Sequence, residues 1–236
     1  MTSDYHSRKP TLANLLKAEF VSGRTPFDWA FLALGISVQI VVFCIKPGNP
    51  WAIVSGICGI ISVILCSQGK ISTFLFGFIQ IATYLYLSLI QRLYAEVGIN
   101  VFYLLSQLYG IYVWSRHYRI KEDNHSAELQ PKHMSVKLFA LIAFAAIILS
   151  ILVGFLLARF TDDSQPWLDA FTTVPAIFAQ ILMILTYREQ WFLWILVDVL
   201  SSLMWARAGE WCLFAQYIFW LANCVYGYRK WTMKLS

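Results

Sequence analysis

Long apolar blocks separated by short polar stretches run through the chain, and each block is about as long as a membrane-spanning helix. A helix needs about 20 predominantly apolar residues to cross the hydrocarbon core. Eight segments reach or approach this length, although the shorter ones are marginal when taken alone. They are 29–45, 51–66, 71–90, 98–114, 136–158, 167–186, 191–206 and 211–228. The pattern predicts an all-α integral membrane protein.

The segment ends and the composition agree with this prediction. Tryptophan lies at or near many segment ends, which is typical of the aromatic belts at the two membrane interfaces. These residues are Trp29, Trp51, Trp114, Trp167, Trp191, Trp211 and Trp231. The chain is 59% hydrophobic and 13% charged, with a mean hydropathy of +0.62. Such values exclude an ordinary soluble domain.

The stretch before the first apolar segment is expected to lie outside the membrane. Leu12, Leu15, Leu16 and Phe20 recur at helical spacing, which fits an amphipathic helix on the cytoplasmic surface or, alternatively, a frayed tail. No cleavable signal peptide is expected, because the first long apolar run begins near Trp29 and further runs follow at once.

The distribution of basic residues predicts the orientation. If the N-terminus is cytoplasmic, 14 of the 18 lysines and arginines lie on the inner side and one lies in each of the four outer loops. Basic residues are enriched in cytoplasmic loops, so both termini are expected to face the cytoplasm. The net charge of +5 follows mostly from this topology and gives no reason to expect a nucleic-acid partner.

An internal repeat is indicated when the sequence is shifted by 117 positions. "LYGIYVW" (108–114) then falls on "VYGYRKW" (225–231), with a Tyr, a Gly and a Trp matched. The same shift superposes three helical segments on three others without gaps. An even number of spans separates the two copies, so they are expected to be parallel repeats, as in several transporters.

The predicted organisation is therefore a 3+1+3 arrangement of parallel helix triplets with one additional N-terminal transmembrane helix. Its parts are a cytoplasmic N-terminal segment (1–28), the extra helix (29–46), the first triplet (47–115), a cytoplasmic loop (116–135), a linker helix (136–160), the second triplet (161–231) and a cytoplasmic tail (232–236).

Polar side chains recur at one depth in the predicted bundle. At about 1.5 Å of rise per residue, Asp198, Gln80, Gln107 and Asn223 all lie near the bilayer midplane, and Gln180 lies at a related depth. An acid near the centre of a spanning helix is unfavourable by roughly 2.5 to 3.5 kcal/mol, so its default interpretation is functional. For any single amide an interhelical hydrogen bond is the more common use, and Asp198 could cap such a network.

Aromatic residues accompany this polar set. Tyr84 lies one turn beyond Gln80, and Trp194 lies one turn before Asp198. Trp191 fits an interfacial anchor or a ligand contact, and Pro175 fits a tolerated kink or a hinge. Such a set could stack an aromatic solute, bond its hydroxyl and amide groups and offset a positive charge.

Cofactor and metal sites are not expected. All five cysteines fall inside or at the edges of apolar segments without a C-x-x-C spacing, which favours small core residues. The four histidines lie in regions assigned to the cytoplasm and fit solvated loop residues.

Two stretches of the second triplet resemble a known family. "YREQWFLWILVDVLSS", followed by "GEWCLFAQYIFWLANCVYGYRKW", resembles the nicotinamide riboside transporters of the PnuC family, with W-x-x-W in the sixth core helix. "GFIQ" (77–80) and "RLYAEVGINVFYLLSQLYGIYVW" are similar to the first half of the pattern. Asn100 stands where Gln is expected in many relatives. The resemblance covers roughly residues 50–231.

The resemblance implies a fold related to SWEET-type sugar transporters, a homotrimer in the bacterial inner membrane, and facilitated diffusion of an unphosphorylated nucleoside that is trapped by cytoplasmic phosphorylation. Nicotinamide riboside is a flat cation with a carboxamide and ribose hydroxyls, which suits the polar and aromatic set. The predicted substrate-binding residues are Trp194, Asp198, Asn223, Gln80, Gln107, Tyr84, Trp191, Tyr226, Gln180 and Asn100.

Other functions compete with this interpretation. The same fold could carry thiamine or riboflavin, and the sequence does not indicate whether transport is ion-coupled. A membrane enzyme is the alternative from another functional class. The motifs H-E-x-x-H and G-x-S-x-G are absent, and one intramembrane acid without a second acid or His is poorly suited to general acid–base catalysis. A structural scaffold would explain the helices and not the polar set. The absence of a P-loop sequence argues against an ATP-driven pump.

Overall fold

The structure is a computed structural model that describes residues 12–45, 49–90, 94–121, 126–162, 165–207 and 211–235. Within these ranges the chain forms nine helices and one two-stranded antiparallel sheet. The elements are α1 (Leu12–Phe20), α2 (Pro26–Ile45), α3 (Pro50–Gln68), α4 (Thr73–Ile90), α5 (Tyr94–His117), β1 (Tyr118–Lys121), β2 (Ser126–Leu129), α6 (Val136–Phe160), α7 (Pro166–Ile184), α8 (Gln190–Arg207) and α9 (Trp211–Met233).

Each of the eight apolar segments marked in the sequence corresponds to one helix from α2 to α9. Five of the described helices contain stretches long and apolar enough to cross a membrane, namely α2, α3, α5, α6 and α7. The apolar part of α4, Thr73–Leu87, is shorter. Polar residues such as Asp198 and Ser201 lower the hydropathy of α8, and both side chains are buried inside the protein. The chain is a multi-pass membrane protein.

The short sheet was not expected from the sequence. Tyr118 pairs with Leu129, and Lys121 pairs with Ser126, in the stretch assigned to a cytoplasmic loop. Strands of four residues contain too few positions to show a two-residue hydrophobic period, so the pattern gave no signal for them.

The helices pack as two groups of three. In the first triplet (α3, α4 and α5) and in the second triplet (α7, α8 and α9), each helix packs against its neighbour in sequence. Helix α3 of the first triplet contacts α9 of the second, and α5 contacts α7. Helix α6 packs against α7, whereas α2 packs against α3 and α9. The first helix of each triplet thus contacts the third helix of the other.

Helix α3 ends in a left-handed turn at Gly69, which has φ 71°. The Gly69 N–H donates to the Cys66 carbonyl and the Lys70 N–H donates to the Leu65 carbonyl, both at 2.9 Å. This pattern is the Schellman motif, which satisfies carbonyl groups that the helix itself leaves without partners.

The end of α7 repeats this turn 117 positions later. Thr186 has φ 66°, and its N–H donates to the Met183 carbonyl at 3.0 Å. The Tyr187 N–H donates to the Leu182 carbonyl at 2.9 Å. Positive φ is strained for a β-branched residue, so the surrounding structure must hold Thr186 in place.

The segment from the last residue of β2, Leu129, to Lys132 bonds to both turns. The Leu129 N–H donates to the Gly69 carbonyl at 3.1 Å, and the Lys132 N–H donates to the Thr186 carbonyl at 2.8 Å. The Arg188 N–H returns a bond to the Lys132 carbonyl at 2.9 Å. This segment therefore ties the ends of α3 and α7 to each other.

Two buried tryptophans, one from each triplet, donate hydrogen bonds to the other triplet. Nε1 of Trp114 donates to the Met183 carbonyl at 3.0 Å, and Nε1 of Trp231 donates to the Cys66 carbonyl at 3.1 Å. Both side chains are 0% exposed, and their ring centroids lie 5.9 Å apart. Donors and acceptors are related by the 117-position shift, so the two bonds are equivalent contacts made in opposite directions.

The predicted aromatic belt is correct for some tryptophans and wrong for others. Trp29, Trp51 and Trp167 are 45%, 49% and 49% exposed in the isolated chain, as a lipid-facing position requires. The belt assignment is wrong for Trp114, Trp231 and Trp191, which are buried between helices. A tryptophan at a helix end can face either lipid or a neighbouring helix, and sequence position does not distinguish the two. The side chain of Trp211 lies outside the described residues.

Two glycines make room for the aromatic core. The Phe74 ring packs edge-on against Trp114 at 4.8 Å and lies over Gly110. The Trp191 ring packs edge-on against Trp231 at 5.7 Å and lies over Gly227. A Cβ at Gly110 would lie 2.1 Å from the Phe74 ring, and a Cβ at Gly227 would lie 2.4 Å from the Trp191 ring.

We predict that Gly110→Ala and Gly227→Ala each lower the stability of the protein by about 1 to 3 kcal/mol, because rigid rings must move to admit the methyl group. Thermal unfolding of the detergent-purified variants measures the effect. Gly98→Ala is the matched control, since a Cβ there meets nothing within 4 Å and alanine favours a helix. Unfolding of all three variants at the same temperature would contradict the prediction.

Candidate functional site

The carboxylate of Asp198 is buried in α8 with little compensation for its charge. The residue is 4% exposed, and its Oδ2 accepts a hydrogen bond from the Cys224 thiol at 3.2 Å. A thiol is a weak donor, whereas a buried carboxylate usually requires strong donors or a cation. Among the described residues, no Lys or Arg forms an ion pair with it.

Two amides near the predicted depth connect the triplets. Nδ2 of Asn223 donates to the Val63 carbonyl at 3.2 Å, joining α9 to α3. Nε2 of Gln180 donates to the Ser106 hydroxyl at 2.8 Å, joining α7 to α5. Val63 and Gln180 are 117 positions apart, as are Ser106 and Asn223, so equivalent positions are joined. These contacts match one of the two roles predicted for the amides, that of interhelical hydrogen bonding.

The side-chain oxygen of Asn223 has no hydrogen-bond partner in the protein. The Oδ1 atom of Asn223 is buried and makes no hydrogen bond to the protein, although the residue is 2% exposed. An unpaired buried acceptor is unfavourable by about 1 to 3 kcal/mol. The oxygen can accept a bond from a solute hydroxyl or amide group without breaking an existing contact.

Two further amides lie against glycines of the first triplet. Gln107 is buried on α5, and a Cβ at Gly77 would lie 3.0 Å from both polar atoms of its amide. Gln80 is half-buried on α4, and a Cβ at Gly59 would lie 3.1 Å from its Cδ. The glycines let these two amides lie flat against the neighbouring helix.

The other predicted site residues occupy different surroundings. Trp194 is half-buried and packs against the cores on both sides of α8. Asn100 is buried, whereas Tyr84 is 41% exposed on the outer surface of the isolated chain. Trp191 belongs to the aromatic core beside Trp231. Of the three predicted aromatic residues Trp194, Tyr84 and Trp191, only Trp194 is half-buried.

Tyr226 is engaged with the additional helix α2. Its hydroxyl donates to Oδ1 of Asp28, and its ring lies 5.5 Å from that of Phe31. Lys230 pairs with the same carboxylate at 3.4 Å. These contacts attach α2 to α9 and give Tyr226 a structural role.

Sequence reasoning missed three residues that matter here, namely Asp28, Cys224 and Ser106. The first predicted apolar segment begins at Trp29, so Asp28 lies one residue outside it. The stretch "TPFD" contained the signal, since Pro at the first helical position and an acid in the first turn mark a helix start. Thr25 and Asp28 do cap each other reciprocally. No sequence pattern specified Cys224 or Ser106 as the partners of Asp198 and Gln180.

Comparisons with known proteins agree with this architecture. Residues 49–233 match the family model described as nicotinamide mononucleotide transporter. The nicotinamide riboside transporter PnuC of Haemophilus influenzae is 38% identical over 94% of this chain and 96% of its own length. PnuC of Neisseria mucosa is 36% identical over 92% of this chain and 84% of its own. PnuC of Escherichia coli is 27% identical over 75% of this chain and 83% of its own.

A solved structure is similar as well. The crystal structure of the vitamin B3 transporter PnuC superposes with a TM-score of 0.81 at 34% identity, covering 96% of this chain and 98% of that one. The relatives are named as transporters, which agrees with the expectation of transport and not of catalysis.

We predict that Gln180 and Ser106 are energetically coupled. A double-mutant cycle with Gln180→Leu and Ser106→Ala should give a coupling of about 0.6 kcal/mol, with an upper bound near 1.7 kcal/mol. Reversible unfolding in mixed micelles measures it. The control cycle pairs Gln180→Leu with Ser115→Ala, whose hydroxyl bonds to Tyr112 within its own helix. Equal coupling in both cycles would show that the observed bond carries no stability.

Proposed function

The chain belongs to the nicotinamide mononucleotide transporter family, and from this premise we propose that it takes up nicotinamide riboside, the solute for which its relatives are named. The observation that supports this most directly is the buried Asp198 carboxylate, whose bond from Cys224 leaves its charge poorly compensated. A pyridinium cation would provide that compensation. The names of the relatives do not favour thiamine or riboflavin.

The proposed site lies between the two triplets near the midplane. Trp194, one turn from Asp198 on α8, offers an aromatic face to a flat cationic ring. The unpaired Oδ1 of Asn223 offers an acceptor to a carboxamide or hydroxyl group. Gln80 and Gln107 supply further amides for the ribose. Recognition by an acid and an aromatic face fits a cation better than a neutral solute.

We further infer that the triplets are parallel repeats joined by α6, in a SWEET-like 3+1+3 arrangement. Three kinds of contact support this inference, and all follow the 117-position shift. They are the turns at Gly69 and Thr186, the crossed bonds of Trp114 and Trp231, and the amide bonds of Asn223 and Gln180. Movement of one triplet against the other would expose a central site to each side in turn.

Transport is proposed to be facilitated diffusion across the bacterial inner membrane by a homotrimer with cytoplasmic termini. The basic residues support this orientation, since 14 of 18 lie on the proposed inner side. The trimer and the passive mechanism rest on the family resemblance.

Uptake into proteoliposomes with and without a proton or sodium gradient distinguishes passive from coupled transport, and equal initial rates are expected.

Substitutions in α8 test the proposed site. Trp194→Ala should weaken nicotinamide riboside binding by about 1 to 3 kcal/mol through loss of a stacking or cation–π contact. Asp198→Asn keeps the shape of the side chain and removes its charge. It should weaken binding of the cationic riboside and spare an analogue with a neutral ring. Calorimetry on the purified protein measures both ligands.

The controls for these variants are Trp51→Ala and Asp162→Asn, which change exposed residues of the same types. Both controls should bind nicotinamide riboside like the parent. The proposed site is wrong if the Trp194→Ala and Asp198→Asn proteins fold and then bind and transport nicotinamide riboside at the parent level.

Phosphorylated solute should be excluded. The central residues Asp198, Asn223, Gln80, Gln107 and Gln180 include no lysine or arginine that could neutralise a phosphate. We expect the 5'-phosphate of nicotinamide riboside to bind at least about tenfold more weakly than the riboside, because an uncompensated anion would lie near the Asp198 carboxylate. Competition calorimetry with the two ligands makes the comparison. Comparable affinities would mean that the solute lies elsewhere.

A further inference from the structure

A second polar site lies at the end of the bundle where α3 and α9 terminate, away from the central residues. It is a cavity of about 30 Å³ beside the turn between α1 and α2. Arg24, Asp28, Gln68, Lys70, Lys230 and Lys234 line it. A cavity needs roughly 10 to 15 Å³ to hold one water molecule, so this one is large enough for a small polar group.

The lining carries an excess of positive charge. Four of the lining residues are cations and Asp28 is an anion, while Glu19 lies close enough to Arg24 to interact with it. Counting both carboxylates, the surroundings have a net charge of +2. The Asp28 carboxylate already accepts bonds from the Tyr226 hydroxyl and from Lys230 at 3.4 Å. A buried cationic cluster of this kind favours an additional anion.

Helix capping explains part of this cluster. Nζ of Lys70 donates to the Ala18 carbonyl at the end of α1, at 2.8 Å. Nζ of Lys234 donates to the Gln68 carbonyl at the end of α3, at 2.7 Å. Lysines commonly bond the last carbonyl groups of a helix. Capping gives no role to Arg24 or to the Gln68 side chain.

Those two side chains contain buried polar atoms that lack hydrogen bonds. Gln68 is 6% exposed, and its amide interacts with the Tyr226 hydroxyl but makes no other hydrogen bond to the protein. Nε of Arg24 is buried without a partner as well. Burial lowers the pKa of the Arg24 guanidinium, and the nearby Asp28 carboxylate opposes this shift. An anion would accept hydrogen bonds from Arg24 Nε and from the Gln68 amide N–H groups, and it would offset the desolvated Arg24 charge.

We propose that this cavity binds a phosphate group, with Arg24, Lys230 and Lys234 supplying charge and the Gln68 amide supplying a hydrogen-bond donor. Arginine and lysine together with an amide form the donor set that recognises phosphate oxygens. The phosphate could belong to a soluble phosphate ester or to the headgroup of an anionic lipid. Leu16 of α1 and Val21, close in sequence to the lining residue Arg24, are exposed apolar side chains that a lipid could contact. The proposal is independent of the transported solute.

Ligand-dependent stabilisation tests the proposal on the complete chain. Thermal unfolding in detergent is measured in sodium phosphate and in sodium chloride of equal ionic strength. A second series uses nanodiscs of phosphatidylcholine alone or with phosphatidylglycerol. The variants are Arg24→Gln, Lys234→Gln and Gln68→Leu, and the matched control is Arg229→Gln, which removes an exposed cation from α9. Each variant is compared with its own unfolding temperature in chloride or in phosphatidylcholine, so a general loss of stability does not obscure binding.

A saturable increase in unfolding temperature with inorganic phosphate identifies a soluble phosphate as the ligand. An increase with phosphatidylglycerol only identifies a lipid headgroup. In either case the three cavity variants should weaken the apparent affinity about tenfold, and Arg229→Gln should not, because a lost charged hydrogen bond accounts for such a factor. The proposal is overturned if neither ligand stabilises the parent, or if Arg229→Gln reduces the effect as much as the cavity variants do.

Discussion

Two indole hydrogen bonds that cross between the helix triplets set the arrangement of this protein. The Cys66 and Met183 carbonyl groups, at the ends of α3 and α7, each accept one N–H of the turn that follows and can accept a second hydrogen bond. Trp114 of the first triplet and Trp231 of the second each bond a carbonyl at the end of the other triplet's first helix. The rings of both also meet each other, and Gly110 and Gly227 admit the aromatic residues that surround them. The positions of α8 and α9 relative to α3 follow from this core.

The two triplets of the proposed repeat differ in chemistry at the proposed solute-binding positions of α8. Under the 117-position shift, Asp198 corresponds to Ile81, and Trp194 corresponds to Gly77, which leaves room for Gln107. At these two positions α8 therefore carries an acid and a half-buried tryptophan, and α4 carries neither. The scaffold is shared by both triplets, whereas the proposed recognition of a cation rests on α8.

The sequence predicts where the helices lie along the chain, but it does not predict which side chains meet between them. Apolar block lengths located all eight long helices, because the requirement to cross a bilayer constrains length and composition strongly. The family resemblance, carried by W-x-x-W and the aromatic turn before Trp231, is confirmed by the family match and by relatives at 36–38% identity. Contacts between helices were not predictable. Burial of Trp191, the pairing of Asp198 with Cys224 and the contact of Tyr226 with Asp28 depend on helix rotation, which hydrophobicity alone does not determine.

The central claim is that the buried carboxylate of α8 and its neighbouring tryptophan receive the positively charged ring. A structure of the protein with nicotinamide riboside bound tests this most directly. The account predicts the pyridinium ring within about 6 Å of the Trp194 ring centroid, the range of a cation–π contact, with the Asp198 carboxylate as its nearest acid. A riboside bound away from α8, for example in the apolar groove along α2 that Leu34 and Val41 line, would contradict it.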